Sequence, residues 1–418
     1  MQNKAVRFHG TNDIRIDTYN LPALGEGEVL LKVCLDSCCV SSYKAAIQGT
    51  RHKRIPDNVA EHPTIVGHEF CGEIVGVGKG CDDRYRIGQK AALQTTLPNT
   101  FMAPGYSYEF CGGETQYAII PKKFTDADNL IPYNGEGFFP GALAEPYSCV
   151  AGAIHSNYHN VPGKYCHKMG IRENGSTILM AATGPLGLAA IDYIIHSDIR
   201  PEVLVVTGRS VPSLKRAEKL FSVEDARKNG ITLCYYNVSE SDCNYDDLME
   251  LSQGTGYDDV FVMIPDKDQI GLGDRLLAFD GCLNVFSGPA ETGYSVPINV
   301  YDVHYSYHHV CGISGGNSED MAEVLKMMDD GKLNPAALVS HIGGLDAAPD
   351  TTLNMPEIKG GKKLIYTNIA MPLVAISDFE KLGEQDSLFK KLHEICSKND
   401  GLWNVEAESF LLSKAKRI

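Results

Sequence analysis

Apolar and polar residues alternate along the first part of the chain, a pattern that is typical of β-strands with one buried face. Residues 4–9 (KAVRFH) and 28–35 (EVLLKVCL) combine this alternation with β-branched side chains, and we predict a strand for each. Glycine, valine, isoleucine and threonine recur at short spacings from 64 to 120, which indicates a compact β-rich domain with many turns. The small and apolar residues of 138–158 predict a helix.

From residue 176 the chain alternates between short apolar strands and helices. STILMAA (176–182) and EVLVVT (202–207) are predicted strands, and each is followed by a predicted helix, at 185–195 and 213–221. Three more strands follow in the segments TLCYYNV, DDVFVMI and GCLNVFSG. Repeated strand–helix units of this kind predict a parallel sheet that is covered by helices on both faces.

The pattern changes again after residue 316. A helix is predicted at 319–333, and the residues beyond it have a mixed pattern that should return to the first domain. We therefore predict an α/β protein in which 1–155 and 317–418 form a β-rich domain and 156–316 form a doubly wound parallel sheet. A chain of 418 residues is long enough for two such domains.

The composition narrows the classes of partner and compartment. A net charge of −15 argues against nucleic acid and anionic membrane surfaces, because both bind basic faces. The chain has no run of about 20 apolar residues, and its first residues lack the apolar core of a signal peptide, so we expect a cytoplasmic protein. Thirteen cysteines are too sparse for a disulfide scaffold, although one or two could bind a metal.

A glycine-containing turn joins the first strand of the predicted parallel sheet to its helix. The turn reads Ala182-Thr183-Gly184-Pro185-Leu186-Gly187. Gly184 would let the backbone approach a pyrophosphate, and the helix that starts near Pro185 would offer its N-terminal amides and dipole to the anion. We predict nucleotide binding here, and the alternative is a plain tight turn.

The end of the second strand indicates which nicotinamide cofactor fits. An acidic residue at this point would bind the ribose hydroxyls and repel a 2′-phosphate. The chain has Thr207-Gly208-Arg209-Ser210 instead, with Lys215 and Arg216 one turn into the next helix. Because arginine pairs well with phosphate oxygens, we predict a preference for NADP(H) over NAD(H). The alternative is a solvated turn before a basic helix face.

Three segments of the first domain carry potential metal ligands. Cys39 follows a predicted strand, His68 and Glu69 begin a glycine-rich strand, and Glu145 lies at the start of a helix. Thiolate, imidazole and carboxylate together suit zinc with an open catalytic position. Two of these residues also have a structural interpretation. His68 could be a hydrogen-bonded core histidine, and Glu145 could be a negative charge that interacts favourably with the helix dipole. Two other cysteines compete with the first, Cys34 and Cys38.

The order of these residues resembles the zinc-dependent medium-chain dehydrogenase/reductase family. The matching positions are Cys39-x-Ser41, Gly67-His68-Glu69, Glu145-Pro146 and the turn at 184–187. They extend over nearly the whole chain, and glutamate rather than cysteine at the third position is similar to the sorbitol-dehydrogenase-like branch. The resemblance implies a GroES-like β-rich catalytic domain and a Rossmann cofactor domain. Within the branch, the chain resembles reductases of sugar phosphates.

The resemblance implies a role for each matching residue. Cys39 and His68 would hold one catalytic zinc, with Glu145 as a direct or water-mediated ligand and Glu69 as a neighbouring or alternating one. Ser41 would touch the substrate oxygen and start the proton relay.

Two departures from the family pattern modify these expectations. Lys44 stands where many relatives have the histidine that ends the relay, so the route of proton exit stays open. The stretch that often carries four cysteines for a structural zinc contains only Cys111, and we expect that second zinc site to be absent.

The resemblance also implies hydride transfer between NADP(H) and a ketose or polyol phosphate, such as L-sorbose 1-phosphate and glucitol 6-phosphate, by a homo-oligomer (dimer or tetramer). The basic segment Arg51-His52-Lys53-Arg54 would suit an anionic substrate or be a solvated loop. His304, His308 and His309 are interpreted as strand packing or a subunit interface. Two alternatives are a dehydrogenase of an unphosphorylated polyol or secondary alcohol, and a non-catalytic nucleotide-binding sensor or scaffold.

Overall fold

The chain folds into two compact units. The computed structural model describes residues 1–81, 83–240, 244–289 and 291–418. The first unit consists of Met1–Glu145 with Asn317–Ile418, and the second consists of Pro146–Gly316. The second unit thus begins at Pro146 rather than at residue 156.

The first unit is built on a largely antiparallel sheet. Its strands are, in spatial order, Val374–Ala375, Val339–Gly344, Lys362–Tyr366, Val29–Cys38, Phe70–Val77, Lys90–Leu93 and Leu130–Pro132, and Tyr117–Ile120 also pairs with Val29–Cys38. A smaller sheet contains Asp13–Asn20, Gln2–Gly10 and Thr64–Ile65. The alternation that predicts the strand at 28–35 is visible in its packing, since Val29, Leu31, Val33 and Leu35 are all fully buried.

Helices cover this sheet and close the C-terminal part of the unit. They are Val40–Gln48, Lys122–Asp126, Ser318–Asp329, Ala348–Leu353, Phe379–Leu382, Ser387–Ser397 and Val405–Lys414, with 3₁₀ turns at Gly49–Arg51, Pro335–Leu338, Leu345–Ala347 and Ile376–Asp378. The helix Phe139–Ser156 begins in this unit and ends in the second. Asn317 begins one of them with a capping box, because its side chain accepts from the Asp320 amide and the Asp320 carboxylate accepts from the Asn317 amide. Trp403, the one tryptophan of the chain, is fully buried in this unit.

The second unit contains a six-stranded sheet in which every pair of neighbouring strands is parallel. The spatial order is Thr232–Asn237, Val203–Gly208, Ser176–Met180, Tyr257–Val262, Leu277–Val285 and His309–Cys311. The helices are Pro185–His196, Val211–Leu220, Val223–Lys228, Asn244–Leu251, Lys267–Arg275 and Val300–Tyr305, and a short hairpin joins Tyr158–Asn160 to His167–Met169. The predicted alternation of strands and helices is therefore confirmed.

The strand order places a topological switch point beside Ser176–Met180. This strand is the first of the sheet in sequence, yet Val203–Gly208 lies on one side of it and Tyr257–Val262 on the other. Ligands of open parallel sheets bind at the carboxyl ends of the strands at such a point, and the turn at 182–187 leaves the sheet there. Within the part of the chain that the structure describes, every helix is too short or too polar to span a membrane.

Candidate active site

The ends of two neighbouring strands bring Cys39 and His68 together. Cys39 follows the strand Val29–Cys38 directly and is the N-cap residue of the next helix. His68 and Glu69 precede the antiparallel strand Phe70–Val77, and the Glu69 carbonyl accepts from the Ser37 amide at 2.9 Å. The end of one strand thus lies beside the start of the other, although the two segments are separated by about thirty residues of sequence.

Cys39, His68 and Glu69 form a group with the chemistry of a metal site. One potential ligand atom from each of them lies within 4.8 Å of the others. Burial lowers the pKa of His68 to about 4, so its imidazole is neutral and can offer a nitrogen lone pair to a cation. Sulfur, nitrogen and carboxylate oxygen at this spacing fit zinc, and Cys34 and Cys38 do not belong to the group.

A buried lysine holds Glu69 in place. Lys362 donates to both carboxylate oxygens of Glu69, at 2.5 and 2.6 Å, and the two side chains are 7% and 2% exposed. Burial opposes the charged form of each group, but their mutual attraction raises the pKa of Lys362 and lowers that of Glu69. Sequence reasoning missed this residue, although two adjacent lysines in the apolar strand KKLIY are an unusual feature.

Glu145 is buried but lies away from the start of its helix, so the predicted position is wrong. It is the seventh residue of Phe139–Ser156, and Pro146 also lies inside that helix. Glu145 does not belong to the group of three donors within 4.8 Å. After burial, Glu69 and Cys39, it contributes to the pKa of Lys362, so it lies within electrostatic range of that amino group.

Ser41 and Tyr106 form a chain of hydroxyl groups beside these residues. The Ser41 hydroxyl donates to Cys39 Sγ at 3.0 Å and accepts from the Tyr106 hydroxyl at 2.9 Å. Both hydroxyl oxygens also lie close to His68 Nε2, at 3.3 and 3.4 Å. A group that binds at Cys39 and His68 would therefore meet two hydroxyls that can pass a proton.

Tyr106 is a functional candidate that sequence reasoning missed. It is fully buried, and its ring lies 4.9 Å from that of His68. The close approach depends on Gly105, which has φ +80°, because a Cβ at that position would lie 2.1 Å from the Gly67 carbonyl oxygen. The Pro-Gly pair that precedes this tyrosine in the sequence signals a turn, but nothing local indicates what the turn contacts.

The basic segment after the first helix extends from solvent to the Tyr106 ring. Arg51 and Lys53 are exposed, whereas His52 and Arg54 are half-buried. The His52 ring stacks on Tyr106 at 5.8 Å with an interplanar angle of 17°, and the Arg54 guanidinium lies 5.0 Å from the centre of the same ring. The segment is therefore in contact with the candidate site through Tyr106.

Asp36, Cys38 and Glu114 form a second buried group of three potential ligands. Burial raises the pKa of Glu114 to about 8, and burial together with Glu114 raises that of Asp36. The Cys38 thiol lies 3.8 Å from a carboxylate oxygen of Glu114. These shifts favour protonated carboxyl groups rather than an anionic ligand set.

The turn at 182–187 has the geometry that its glycines predict. Gly184 is the N-cap residue of Pro185–His196, and nothing lies within 4 Å of the point where its Cβ would stand. A Cβ on Gly187 would lie 2.1 Å from the Ala182 carbonyl oxygen, so glycine is required there for the helix to pack against the strand. The turn thus leaves an open approach to the first amides of a 12-residue helix.

The end of the strand Val203–Gly208 carries the residues that we predict to select the cofactor, and their surroundings differ from one another. Gly208 is buried and packs tightly, since a Cβ would lie 2.7 Å from Thr183 Cγ2. Arg209 is exposed, and the Ser210 hydroxyl caps the following helix by accepting from the Ser213 amide at 3.4 Å.

The three histidines near residue 305 do not form a common site. His304 is exposed, His308 is buried, and His309 pairs with Asp280 at 2.9 Å. Asp280 also pairs with Arg172 at 2.6 Å, so His309 belongs to a structural ion-pair network of the second unit.

Comparison with known proteins identifies the family. Residues 25–169 match the alcohol dehydrogenase GroES-like domain. L-sorbose 1-phosphate reductase of Klebsiella pneumoniae is 43% identical over 416 residues, which cover 99% of this chain and 98% of that protein. Mannitol-1-phosphate 5-dehydrogenase of Aliivibrio fischeri (strain ATCC 700601 / ES114) is 44% identical over 413 residues, covering 98% of this chain and 97% of that protein.

The fold comparison agrees with the sequence comparison. The crystal structure of 2R,3R-butanediol dehydrogenase from Bacillus subtilis superposes with a TM-score of 0.72 at 21% identity, and the match covers 88% of this chain and 100% of that one. The predicted pairing of a GroES-like unit with a Rossmann-type parallel sheet is confirmed. The chain belongs to the medium-chain dehydrogenase/reductase family and is an oxidoreductase.

Proposed function

We propose that this enzyme is a zinc-dependent oxidoreductase that interconverts a polyol phosphate and a ketose phosphate with NADP(H). The observation that carries the proposal is the convergence of Cys39, His68 and Glu69, whose donor atoms lie within 4.8 Å of one another. Two relatives that match nearly the whole chain are named for L-sorbose 1-phosphate and mannitol 1-phosphate, which supports a phosphorylated substrate.

Cys39 and His68 would hold the zinc, with Glu69 or Glu145 completing the set. Zinc bound there would supply a Lewis acid that stabilises negative charge on the substrate oxygen. Lys362 fixes the Glu69 carboxylate through two hydrogen bonds, so any movement of this side chain toward a metal must break at least one of them. The lysine thus positions the carboxylate and offsets its negative charge in the site.

Ser41 would exchange the proton with the substrate oxygen. Its hydroxyl already accepts from Tyr106, so Tyr106 can replace a proton that Ser41 gives to a forming alcohol. Lys44 lies three residues after Ser41 on the helix Val40–Gln48, and residues at this spacing share a helix face. We propose Lys44 as the group that continues the route toward solvent.

The turn from Thr183 to Gly187 would hold the pyrophosphate of the cofactor, whose nicotinamide supplies or accepts the hydride. The open space at Gly184 and the first amides of Pro185–His196 support this assignment. We propose NADP(H) because Arg209 is exposed at the end of Val203–Gly208 and no carboxylate occupies positions 208–210 to repel a 2′-phosphate.

The proposal extends to assembly and compartment. His309–Cys311 is the edge strand of the parallel sheet, and Val310, Tyr301 and Tyr305 present exposed apolar side chains next to it in sequence. We propose that a second copy of the chain covers this edge, which light scattering would test. The twelve cysteines that the structure describes are free, which supports our proposal that the enzyme acts in the reducing environment of the cytoplasm.

A substrate comparison tests the proposed function. The purified enzyme is assayed with mannitol 1-phosphate, glucitol 6-phosphate and the two free polyols, each with NADP⁺ and with NAD⁺, and with L-sorbose 1-phosphate in the direction of reduction. We expect the highest kcat/KM with a phosphorylated substrate and NADP(H). Preference for a free polyol would contradict the phosphate assignment, and equal kcat/KM with both cofactors would contradict the cofactor assignment.

A further inference from the structure

Four basic side chains near the candidate active site lack an acidic partner. The chain has 53 acidic residues and 38 lysines and arginines, which gives it a net charge of −15. Among the residues that the structure describes, no carboxylate pairs within 4.0 Å with the four in question, Lys44, Arg51, Lys53 and Arg54. An unneutralised positive cluster of this kind is the electrostatic arrangement that attracts an anionic ligand.

Arg54 is the member of the cluster that is built into the site. Its guanidinium lies 5.0 Å from the centre of the Tyr106 ring, and the hydroxyl of that ring is 2.9 Å from Ser41 and 3.4 Å from His68 Nε2. The backbone is also fixed, because the Arg54 carbonyl accepts from the Ser107 hydroxyl at 2.7 Å. One aromatic ring therefore separates a positioned guanidinium from the residues proposed to act on the substrate oxygen.

The guanidinium of Arg54 has a buried donor that the protein does not use. Its Nε atom is buried and has no hydrogen-bond partner. A buried donor that is left without a partner costs free energy, and a ligand oxygen that accepts from it would recover that cost. Arginine is suited to phosphate in particular, because its planar donors match two phosphate oxygens at once.

Two lysines add charge at the same place, whereas Arg51 does not. Burial and then the positive charges of Arg54, Lys53 and Lys44 together lower the pKa of His52 to about 4. These three cations therefore lie within electrostatic range of the His52 ring, which is itself neutral at physiological pH. Arg51 is exposed at the end of the turn Gly49–Arg51.

We propose that Arg54 binds the phosphate group of the substrate, with Lys44 and Lys53 as supporting charges, and that Arg51 takes no part. This assignment rests on the proposed function and makes Arg54 the residue that distinguishes a polyol phosphate from a free polyol. Phosphate held here would anchor one end of the substrate at a guanidinium that packs on the same tyrosine whose hydroxyl contacts Ser41. Binding energy from the phosphate would then orient the reacting carbon and raise turnover as well as affinity.

Kinetics of two matched variants test the proposal. Arg54→Met keeps an unbranched apolar stem against Tyr106 and removes the charge, and Arg51→Met makes the same change at the exposed control position. For a phosphorylated polyol with NADP⁺, we expect Arg54→Met to lower kcat/KM by about 10- to 150-fold, the range for loss of one charge-assisted hydrogen bond. For the free polyol, we expect a change of less than about threefold, and Arg51→Met should match the unmodified enzyme on both substrates.

Two results of these kinetic measurements would overturn the proposal. Equal losses on both substrates in Arg54→Met would assign Arg54 a structural role and overturn the proposal, as would equal effects of the two variants on the phosphorylated substrate. Inorganic phosphate provides a readout apart from turnover, because it should raise the melting temperature of the unmodified protein more than that of Arg54→Met. If the proposed function itself were wrong, the result would differ from these outcomes, because the unmodified enzyme would then prefer the free polyol.

Discussion

Removal of the lysine from the buried Lys362–Glu69 ion pair should destabilise the first unit strongly. Lys362→Met leaves a carboxylate that is 2% exposed without its partner and removes hydrogen bonds of 2.5 and 2.6 Å. Breaking a buried pair by deleting one partner costs about 3–5 kcal/mol, because water cannot replace the lost interaction. We expect a loss of this size in the free energy of unfolding.

The single tryptophan gives a signal that reports on this unit. Trp403 is fully buried in the first unit, so its fluorescence follows urea unfolding of that unit separately from the parallel sheet. The measurement is made with a zinc chelator present, which removes any contribution from bound metal. Glu69→Gln combined with Lys362→Met should recover most of the lost stability, because no unpaired charge remains.

The neighbouring lysine provides the matched control. Lys363 is also buried, but its amino group donates only to the Gly361 carbonyl, at 2.9 Å. Lys363→Met should therefore cost about 1 kcal/mol, the typical value of one hydrogen bond. If Lys362→Met and Lys363→Met destabilise the unit equally, the ion pair does not hold Glu69 in the way that we infer.

Three further predictions address a helix cap, a histidine and the cofactor. Asn317→Ala should cost about 1 kcal/mol in the same fluorescence assay, because it removes an N-cap hydrogen bond. Hydrogen bonding to Asp192 raises the pKa of His196, so this pair stabilises the second unit below pH 6.5 and the contribution is lost as the pH rises through the folded pKa. Circular dichroism melts between pH 5.5 and 8.5 should show that decline, and His196→Gln should flatten it. Arg209→Gln should raise the KM for NADPH but not for NADH; it is a better test than a change at Gly208, where a side chain would meet Thr183.

Local sequence patterns predict the elements of the fold because each pattern reflects burial within one element. The period-two burial of Val29 to Leu35 and the continuous burial of Thr177–Met180 are both legible in the residues themselves. Glu145 shows where such reading fails. A proline after it suggests a helix start, but Pro146 lies within the helix Phe139–Ser156.

The candidate site is less predictable because its contacts join distant parts of the chain. Lys362 lies 293 residues from Glu69, and Tyr106 lies 65 residues from Ser41. Their roles follow from strand pairing and from the close packing at Gly105, and neither leaves a local signal. The choice of Cys39 over its two neighbouring cysteines likewise depends on which thiol reaches His68.

Zinc content and turnover of two cysteine variants test the central claim most directly. Cys39 belongs to the group with His68, whereas Cys38 lies in the separate group with Asp36 and Glu114. The unmodified enzyme and Cys38→Ala should each hold one zinc per chain and turn over the polyol phosphate with NADP⁺. Cys39→Ala should lose both zinc and turnover while its Trp403 fluorescence and circular dichroism stay native. Retention of zinc by Cys39→Ala, or its loss from Cys38→Ala, would contradict the account.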